Sequence, residues 1–241
     1  MTQLSGTRIV ILGGTSGIGL ATALRASAAG ADVVVVSANP ERVDAALEQL
    51  PEGADGYAVD LRDEQAVAGL FERLGELDHL VYTAGEALQI ALLADTDLDA
   101  GRRAFETRYW GAYAAAKHAA PRLREGGSIT LSSGGAGERP MASWSVASSI
   151  CGAIESLTRA LAIELAPIRV NAVAPGLVRS NLWSGTLSAQ DEQGLYVSMA
   201  AALPVGRVGE VDDVADTLVY LMGNGYTTGS IVPVNGGGLL V

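Results

Sequence analysis

Cysteine is all but missing from this chain of 241 residues, where Cys151 stands alone. A lone cysteine excludes an internal disulfide and any cysteine-based metal cluster, and it makes the reducing cytoplasm the expected compartment. Positive charge is also short: 16 Lys and Arg face 27 Asp and Glu, for a net charge of −11 and a pI near 4.6. Such a surface repels phosphate backbones and anionic membranes, so neither nucleic acid nor membrane is expected as a partner. The two histidines, His79 and His118, have no partner at ligand spacing, so no metal site is expected. Met1 to Gly6 reads as a short polar lead rather than a secretion signal, and no apolar run approaches the length that spans a bilayer. Repeats, charge blocks and low-complexity linkers are absent too, so residues 1–241 are read as one domain.

What is present is apolar. Hydrophobic residues make up 49% of the chain and the mean hydropathy is +0.26, which suits a parallel sheet covered on both faces. Apolar runs predict strands at Arg8–Leu12, Asp32–Ser37, Gly56–Val59, His79–Thr83, Ser128–Ser132, Arg169–Ala174 and Ile231–Val234. Between them the apolar period is near 3.6, as in Ile150, Ile154, Leu157, Leu161 and Leu165. Long helices are expected at Thr96–Leu123 and Ala147–Leu165. This alternation predicts an α/β, doubly wound parallel sheet of about seven strands in a three-layer sandwich.

The first strand, Ile9–Leu12, runs into Gly13-Gly14-Thr15-Ser16-Gly17-Ile18-Gly19 and then an amphipathic helix. A pyrophosphate needs backbone N–H groups and a helix N-terminus close by, and glycines let the chain approach it without a Cβ in the way. The spacing Gly13-x-x-x-Gly17-x-Gly19 resembles the glycine motif of short-chain dehydrogenases/reductases, which have a Rossmann-type fold. The likeness runs almost end to end. Val59-Asp60-Leu61 is similar to the segment whose Asp contacts adenine. Tyr82-Thr83-Ala84-Gly85 stands where the family usually has Asn-Asn-Ala-Gly. Arg169-Val170-Asn171-Ala172-Val173-Ala174-Pro175-Gly176 resembles the segment that positions nicotinamide. Thr228-Gly229 and Asn235-Gly236-Gly237 resemble the C-terminal strand motif. The resemblance implies cofactor contacts at Gly13, Thr15, Ser16, Gly17, Ile18, Gly19, Asp60, Leu61, Thr83, Ala84, Gly85, Pro175, Gly176, Val178 and Ser180. An NAD-selective site usually carries an acid at the end of the second strand. Ser37 holds that place here, with Asn39 and Arg42 nearby as hydrogen-bond donors, so NADP(H) is favoured over NAD(H).

The family's carbonyl chemistry uses a Ser, a Tyr, a Lys four residues later, and an Asn on the preceding helix. Ser133 fits the Ser position, with Ser132 as the close alternative. The segment Gly152 to Ala162 resembles the helix after the Tyr and Lys, and that register places Ala147 at the Tyr and Cys151 at the Lys. Arg108 takes the Asn position. A literal Tyr-x-x-x-Lys, Tyr113 to Lys117, lies earlier in the chain. At about 100° per residue its side chains point away from the cleft if Arg108 points in, so packing or a subunit contact is expected of them. Tyr82 is read as a core tyrosine. Segment Leu182–Leu203 is expected to form a flap whose Leu182, Trp183, Leu187, Leu195, Tyr196 and Met199 suit a small apolar or aromatic substrate. Tyr196 is the flap's candidate acid.

Three readings follow. The chain is an NAD(P)(H)-dependent oxidoreductase with an atypical active site, with Ser133, Arg108 and Tyr196 as catalytic candidates. It is alternatively a non-redox enzyme on the same scaffold, or an inactive dinucleotide-binding or regulatory protein. Small residues on the two long helices, and pairing of these helices in relatives, lead to the expectation of a homodimer or homotetramer.

Overall fold

The computed structural model describes residues 4–85, 90–180 and 188–241. Its strands are β1 (Arg8–Leu12), β2 (Asp32–Ser37), β3 (Asp55–Ala58), β4 (Leu77–Tyr82), β5 (Leu123–Ser132), β6 (Arg169–Pro175), β7 (Val178–Arg179), β8 (Gly209–Glu210) and β9 (Ile231–Val234). Its helices are α1 (Gly17–Ala28), α2 (Pro40–Leu47), α3 (Glu64–Leu74), α4 (Leu98–Phe105), α5 (Gly111–Ala119), α6 (Ser145–Glu164), α7 (Ala189–Ala202) and α8 (Val211–Gly223). Seven strands form one parallel sheet in the order β3-β2-β1-β4-β5-β6-β9, and β7 pairs with β8 alone. The chain winds outward from β1 to β3, then returns to the other side of β1 as β4. The carboxyl ends of β1 and β4 therefore flank the switch point where open α/β sheets bind ligands.

Alternation along the strands builds two cores. Ile9 and Ile11 of β1 join Val33 and Val35 of β2 in a cluster with Ala23 of α1 and Val214, Leu218 and Leu221 of α8. Val10 and Leu12 point the other way, with Leu80, Ile129 and Leu131, onto Leu70 of α3, Ala115 of α5 and Ile154 of α6. Residues 33–36 of β2 are four consecutive buried valines, the composition of a strand covered on both faces. Helix starts follow side-chain capping: Asn39 accepts from the Arg42 N–H, and Asp63 accepts from the N–H groups of Gln65 and Ala66.

Two expectations need correcting. The segment read as one helix from Thr96 to Leu123 is broken into α4, a π-helical turn at Glu106–Trp110, α5 and a short 3-10 turn at Ala120–Arg122. The Tyr82 hydroxyl donates to the Thr107 carbonyl inside that π turn, and a Cβ at Gly111 would collide with the Tyr82 oxygen. Tyr82 is thus the core tyrosine expected, and it props the turn that carries Arg108. The second correction concerns α6, which by length and composition alone could cross a bilayer. It is apolar because it is a core helix: Ile150, Ile154, Leu157 and Leu161 are buried against the sheet.

Candidate active site

At the end of β1 the backbone turns through Gly13 at φ +90°, and a Cβ there would lie 2.5 Å from the Ala84 nitrogen. A Cβ at Gly19 would meet the Gly13 carbonyl. These glycines let the turn, the end of β4 and the first turn of α1 close on one another. Thr83 fastens the same junction, its N–H donating to the Leu12 carbonyl at 2.8 Å and its hydroxyl lying 3.3 Å from the Leu12 and Gly13 carbonyls. Ser16 precedes α1 without a side-chain capping bond, and the first turn carries no acid. Its leading N–H groups are therefore left for an anion, with the helix dipole in support. Gly17, at φ +52°, has nothing among the described residues nearer to its missing Cβ than Ser180 at 3.9 Å. An open, cation-like cradle of backbone amides fits a dinucleotide's pyrophosphate. Thr15 and Ile18 stand half-buried beside it, and Gly85 is exposed.

The neighbouring expected contacts differ in character. Ser37 ends β2 beside Ala58, and its Oγ accepts from the Asn39 N–H at 3.4 Å. Asn39 has committed its carbonyl oxygen to capping α2, and its amide donors stay exposed beside Arg42. The carboxylate of Asp60 is gripped by Arg62 at 2.8 and 2.9 Å, and that hydrogen bonding holds it below the usual carboxylate range. Arg62 was not anticipated from the sequence; its one signal there is its place two residues beyond Asp60. Leu61 and Val178 are core side chains, so only their backbone can face a ligand. Pro175 and Gly176 leave β6 beside β9, where a Cβ on Gly176 would collide with Asn235. Asn171 and Thr228 tie this edge down: the Asn171 amide donates to the Thr227 carbonyl and its oxygen accepts from the Ser230 N–H, while Thr228 Oγ accepts from the Val170 N–H.

Beyond the glycine turn, Ser133 follows β5, and its N–H donates to the Val173 carbonyl. Its hydroxyl lies 3.0 Å from Glu155 Oε1 and 3.3 Å from the Cys151 carbonyl, both on α6. Ser132 Oγ, the alternative, is buried with no hydrogen-bond partner among the described residues. Ala147 and Cys151 lie on α6 one turn apart, the first buried and the second half-buried. Burial pushes the Cys151 thiol up, while the Ser133 hydroxyl and the Arg108 charge pull it down. Arg108 reaches the same cleft: a Cβ on Gly85 would lie 2.5 Å from its guanidinium carbon. The structure therefore brings Ser133, Cys151, Glu155 and Arg108 together beside the end of β4. Glu155 was not anticipated from the sequence, although it stands four residues after Cys151 and so shares its helix face.

Other candidates lie elsewhere. Tyr196 is buried in a small cluster with Leu203 and Val208, against Leu195 and Met199. Its hydroxyl donates to Glu192 at 2.6 Å, its ring lies under Arg179 at 4.4 Å, and the Ser180 N–H donates to it. Burial, reinforced by Glu192, pushes its phenol up to about 12. Tyr196, the candidate acid, thus stands in an apolar cluster on α7 with its hydroxyl proton directed at Glu192. Leu182, Trp183 and Leu187 fall outside the described residues. Lys117, the chain's one lysine, pairs with Glu64 of α3 at 2.6 Å and is more than half exposed. His118 joins the same carboxylate at 3.1 Å. His79 is buried in β4 and bonded to Ser128 at 2.9 Å. No group of metal-ligating side chains occurs among the described residues.

A family model described as enoyl-(acyl carrier protein) reductase matches residues 13–238. The short-chain dehydrogenase/reductase fsr5 of Gibberella fujikuroi is 34% identical over all of this chain and 97% of its own length. Among solved structures, a small-chain dehydrogenase in complex with NADPH is 39% identical, with a TM-score of 0.87 over 98% of this chain and 99% of that one. The MalC reductase/Diels-Alderase of Malbranchea aurantiaca is 28% identical, with a TM-score of 0.90 over 98% of this chain and 97% of its own. With its parallel sheet, its glycine turn at the switch point and these matches along nearly its whole length, the chain belongs to the short-chain dehydrogenase/reductase family.

Proposed function

We propose that this protein is an NADP(H)-dependent oxidoreductase, one domain over residues 1–241, that works without the family's catalytic tyrosine and lysine. The observation that carries this reading is the fate of the lysine. The chain has one, Lys117, and it is spent on Glu64 at the surface of α3. On α6 the corresponding places hold Ala147 and Cys151, and Arg108 brings the cation to the cleft from the π turn.

The residues suit a nicotinamide dinucleotide. The backbone from Gly13 to Gly19 would take the pyrophosphate, and Ser37, Asn39 and Arg42 would take the 2′-phosphate. Gly85, Pro175 and Gly176 would border the nicotinamide. A bound nicotinamide would supply or accept hydride; this chain's part is to orient the partner and manage charge. Loss of a positioned general acid typically costs about 10²–10⁴ in rate, a loss that falls hardest on a simple ketone. Arg108 would offset part of it by supporting a developing anion or a cofactor hydroxyl. NADP(H) is preferred over NAD(H) because nothing at Ser37 repels a phosphate, and the NADPH in a 39% identical relative agrees with this.

The substrate is a small apolar or aromatic molecule, the protein works in the cytoplasm, and copies pair through α4, α5 and α6. Exposed Leu98, Trp110 and Tyr113 support such pairing. A non-redox cyclisation is the second reading, favoured by the likeness to MalC, which is both a reductase and a Diels-Alderase. A cofactor-oxidation screen at 340 nm against ketones, imines and enones tests the first reading, with NADPH binding measured beside it. Turnover supports it; binding without turnover on any class counts against it.

A further inference from the structure

The polarity of Ser133 differs from what a carbonyl needs. A serine hydroxyl has one proton to donate and two lone pairs. Three groups on α6 lie beside Ser133 Oγ: the acceptors Glu155 Oε1 at 3.0 Å and the Cys151 carbonyl at 3.3 Å, and the Cys151 thiol, a weak donor and weak acceptor. The carboxylate is the strongest acceptor of the three, so the proton of Ser133 turns toward α6, and a lone pair is what it offers to a ligand. The arrangement is built in. A Cβ on Gly137 would lie 2.5 Å from Glu155 Oε1, so the glycine makes room for the carboxylate. The Glu155 side chain is only 15% exposed, and its other oxygen lies 3.8 Å from the more exposed Arg159. Charge of both signs reaches Cys151: positive from Arg108, whose guanidinium stands on the Gly85 side, and, less strongly, negative from Glu155, which is the charge that borders Ser133 directly.

We propose that Ser133 and Glu155 form a hydrogen-accepting, anionic pair that selects a substrate bringing its own proton, a protonated imine whose N–H donates to Ser133 Oγ. This deepens the redox reading of the same cleft and rests on it. The iminium carbon takes the hydride that a reduced nicotinamide supplies, and the C=N π pair moves onto nitrogen. The nicotinamide is left oxidised, and the product is a neutral amine that keeps the proton it arrived with. No proton has to cross the site during the step, so the missing tyrosine and lysine cost this substrate little. A bare ketone, by contrast, presents an acceptor to an acceptor. Glu155 acts here through Ser133 and through its charge, as a positioning residue.

The test is calorimetry with a matched pair, 1-aminotetralin as the ammonium ion and 1-tetralone, on the protein with and without NADP⁺. The ammonium ion should bind at least about tenfold more tightly than the ketone. Glu155→Gln keeps the shape, but its amide can donate to Ser133 and release the hydroxyl proton, so this preference should vanish. Glu155→Asp keeps the charge and should retain part of it, and circular dichroism confirms that both variants are folded. Turnover of 3,4-dihydroisoquinolinium should exceed that of its N-methyl analogue, which lacks the N–H, and of 1-tetralone, and Glu155→Gln should lower the imine-to-ketone ratio at least about tenfold. Equal or tighter binding of the ketone, no binding of either ligand, or an unchanged preference in Glu155→Gln overturns the proposal. An ammonium preference that Glu155→Gln removes, in a protein that turns over nothing, upholds the selective pair and refutes the redox reading instead.

Discussion

Replacing Ser37 by Asp tests the cofactor assignment at a single atom group. Ser37 ends β2, and its hydroxyl accepts from the Asn39 N–H at 3.4 Å. A carboxylate at the same place can keep that bond, so Ser37→Asp should fold normally. It would, however, stand beside the 2′-phosphate of bound NADPH. Two unit charges about 5 Å apart repel by about 0.8 kcal/mol in water and about 3 kcal/mol at an effective dielectric of 20. The site is half open, so the expected loss lies between these, roughly 4- to 150-fold in the NADPH dissociation constant. NADH has no 2′-phosphate, and its ribose hydroxyls can donate to the new carboxylate, so its affinity should hold or improve. Calorimetry with both cofactors reads the change. The repulsion should shrink in 1 M salt, where the screening length is about 3 Å. A NADPH affinity unchanged within about twofold would refute the placement of the 2′-phosphate at Ser37.

Arg108→Met keeps length and removes charge; it should lower turnover or cofactor affinity at least about tenfold, or about 1.4 kcal/mol, as measured by steady-state kinetics and calorimetry. Ala147→Tyr combined with Cys151→Lys should remain a poor ketone reductase at 340 nm, because the new ammonium would sit within reach of the Arg108 charge already felt at Cys151. Burial lowers His79 to about 4 from a usual 6.5. The unfolded chain therefore binds the extra proton between these values, and stability falls as pH drops from 6.5 toward 4, by roughly 3 kcal/mol in all; His79→Gln should flatten that part of a denaturant-midpoint profile. Sedimentation at micromolar concentration should show a dimer or tetramer rather than a 24.7 kDa species.

The ends of β1, β2 and β9 were legible because dense runs of Ile and Val stop at glycine, serine or proline-bearing turns. β3 was misplaced by one residue: Asp55–Ala58 is an edge strand, half-buried, with a weak alternation. β5 begins five residues earlier than its apolar run, because Leu123 to Gly127 are mostly polar or glycine yet pair beside β4. The π turn at Glu106–Trp110 left no trace in the apolar period, since one extra residue per turn is hidden in a short helix. It nevertheless decides where Arg108 goes, and π turns recur at functional sites. The glycine turn could be read because a tight backbone approach demands glycine. Ser133 could be read by its place after a strand. Glu155 could not be singled out, because a glutamate on a helix is ordinarily a surface charge; only the fold turns it onto Ser133. Tyr196 could be named only as a tyrosine in an apolar segment; the bond that ties it to Glu192, one turn away on α7, shows only in the folded chain.

Deuteride transfer tests the central claim most directly. The protein is incubated with NADPH carrying deuterium at the transferred position of nicotinamide C4, and with each member of a panel of ketones, imines and enones. Products are read by mass spectrometry and oxidised cofactor by absorbance. At least one class should yield a reduced product heavier by one mass unit, with oxidised cofactor formed in equal amount. Bound NADPH that labels no product in any class, or a substrate rearranged while the cofactor stays reduced, would contradict the account.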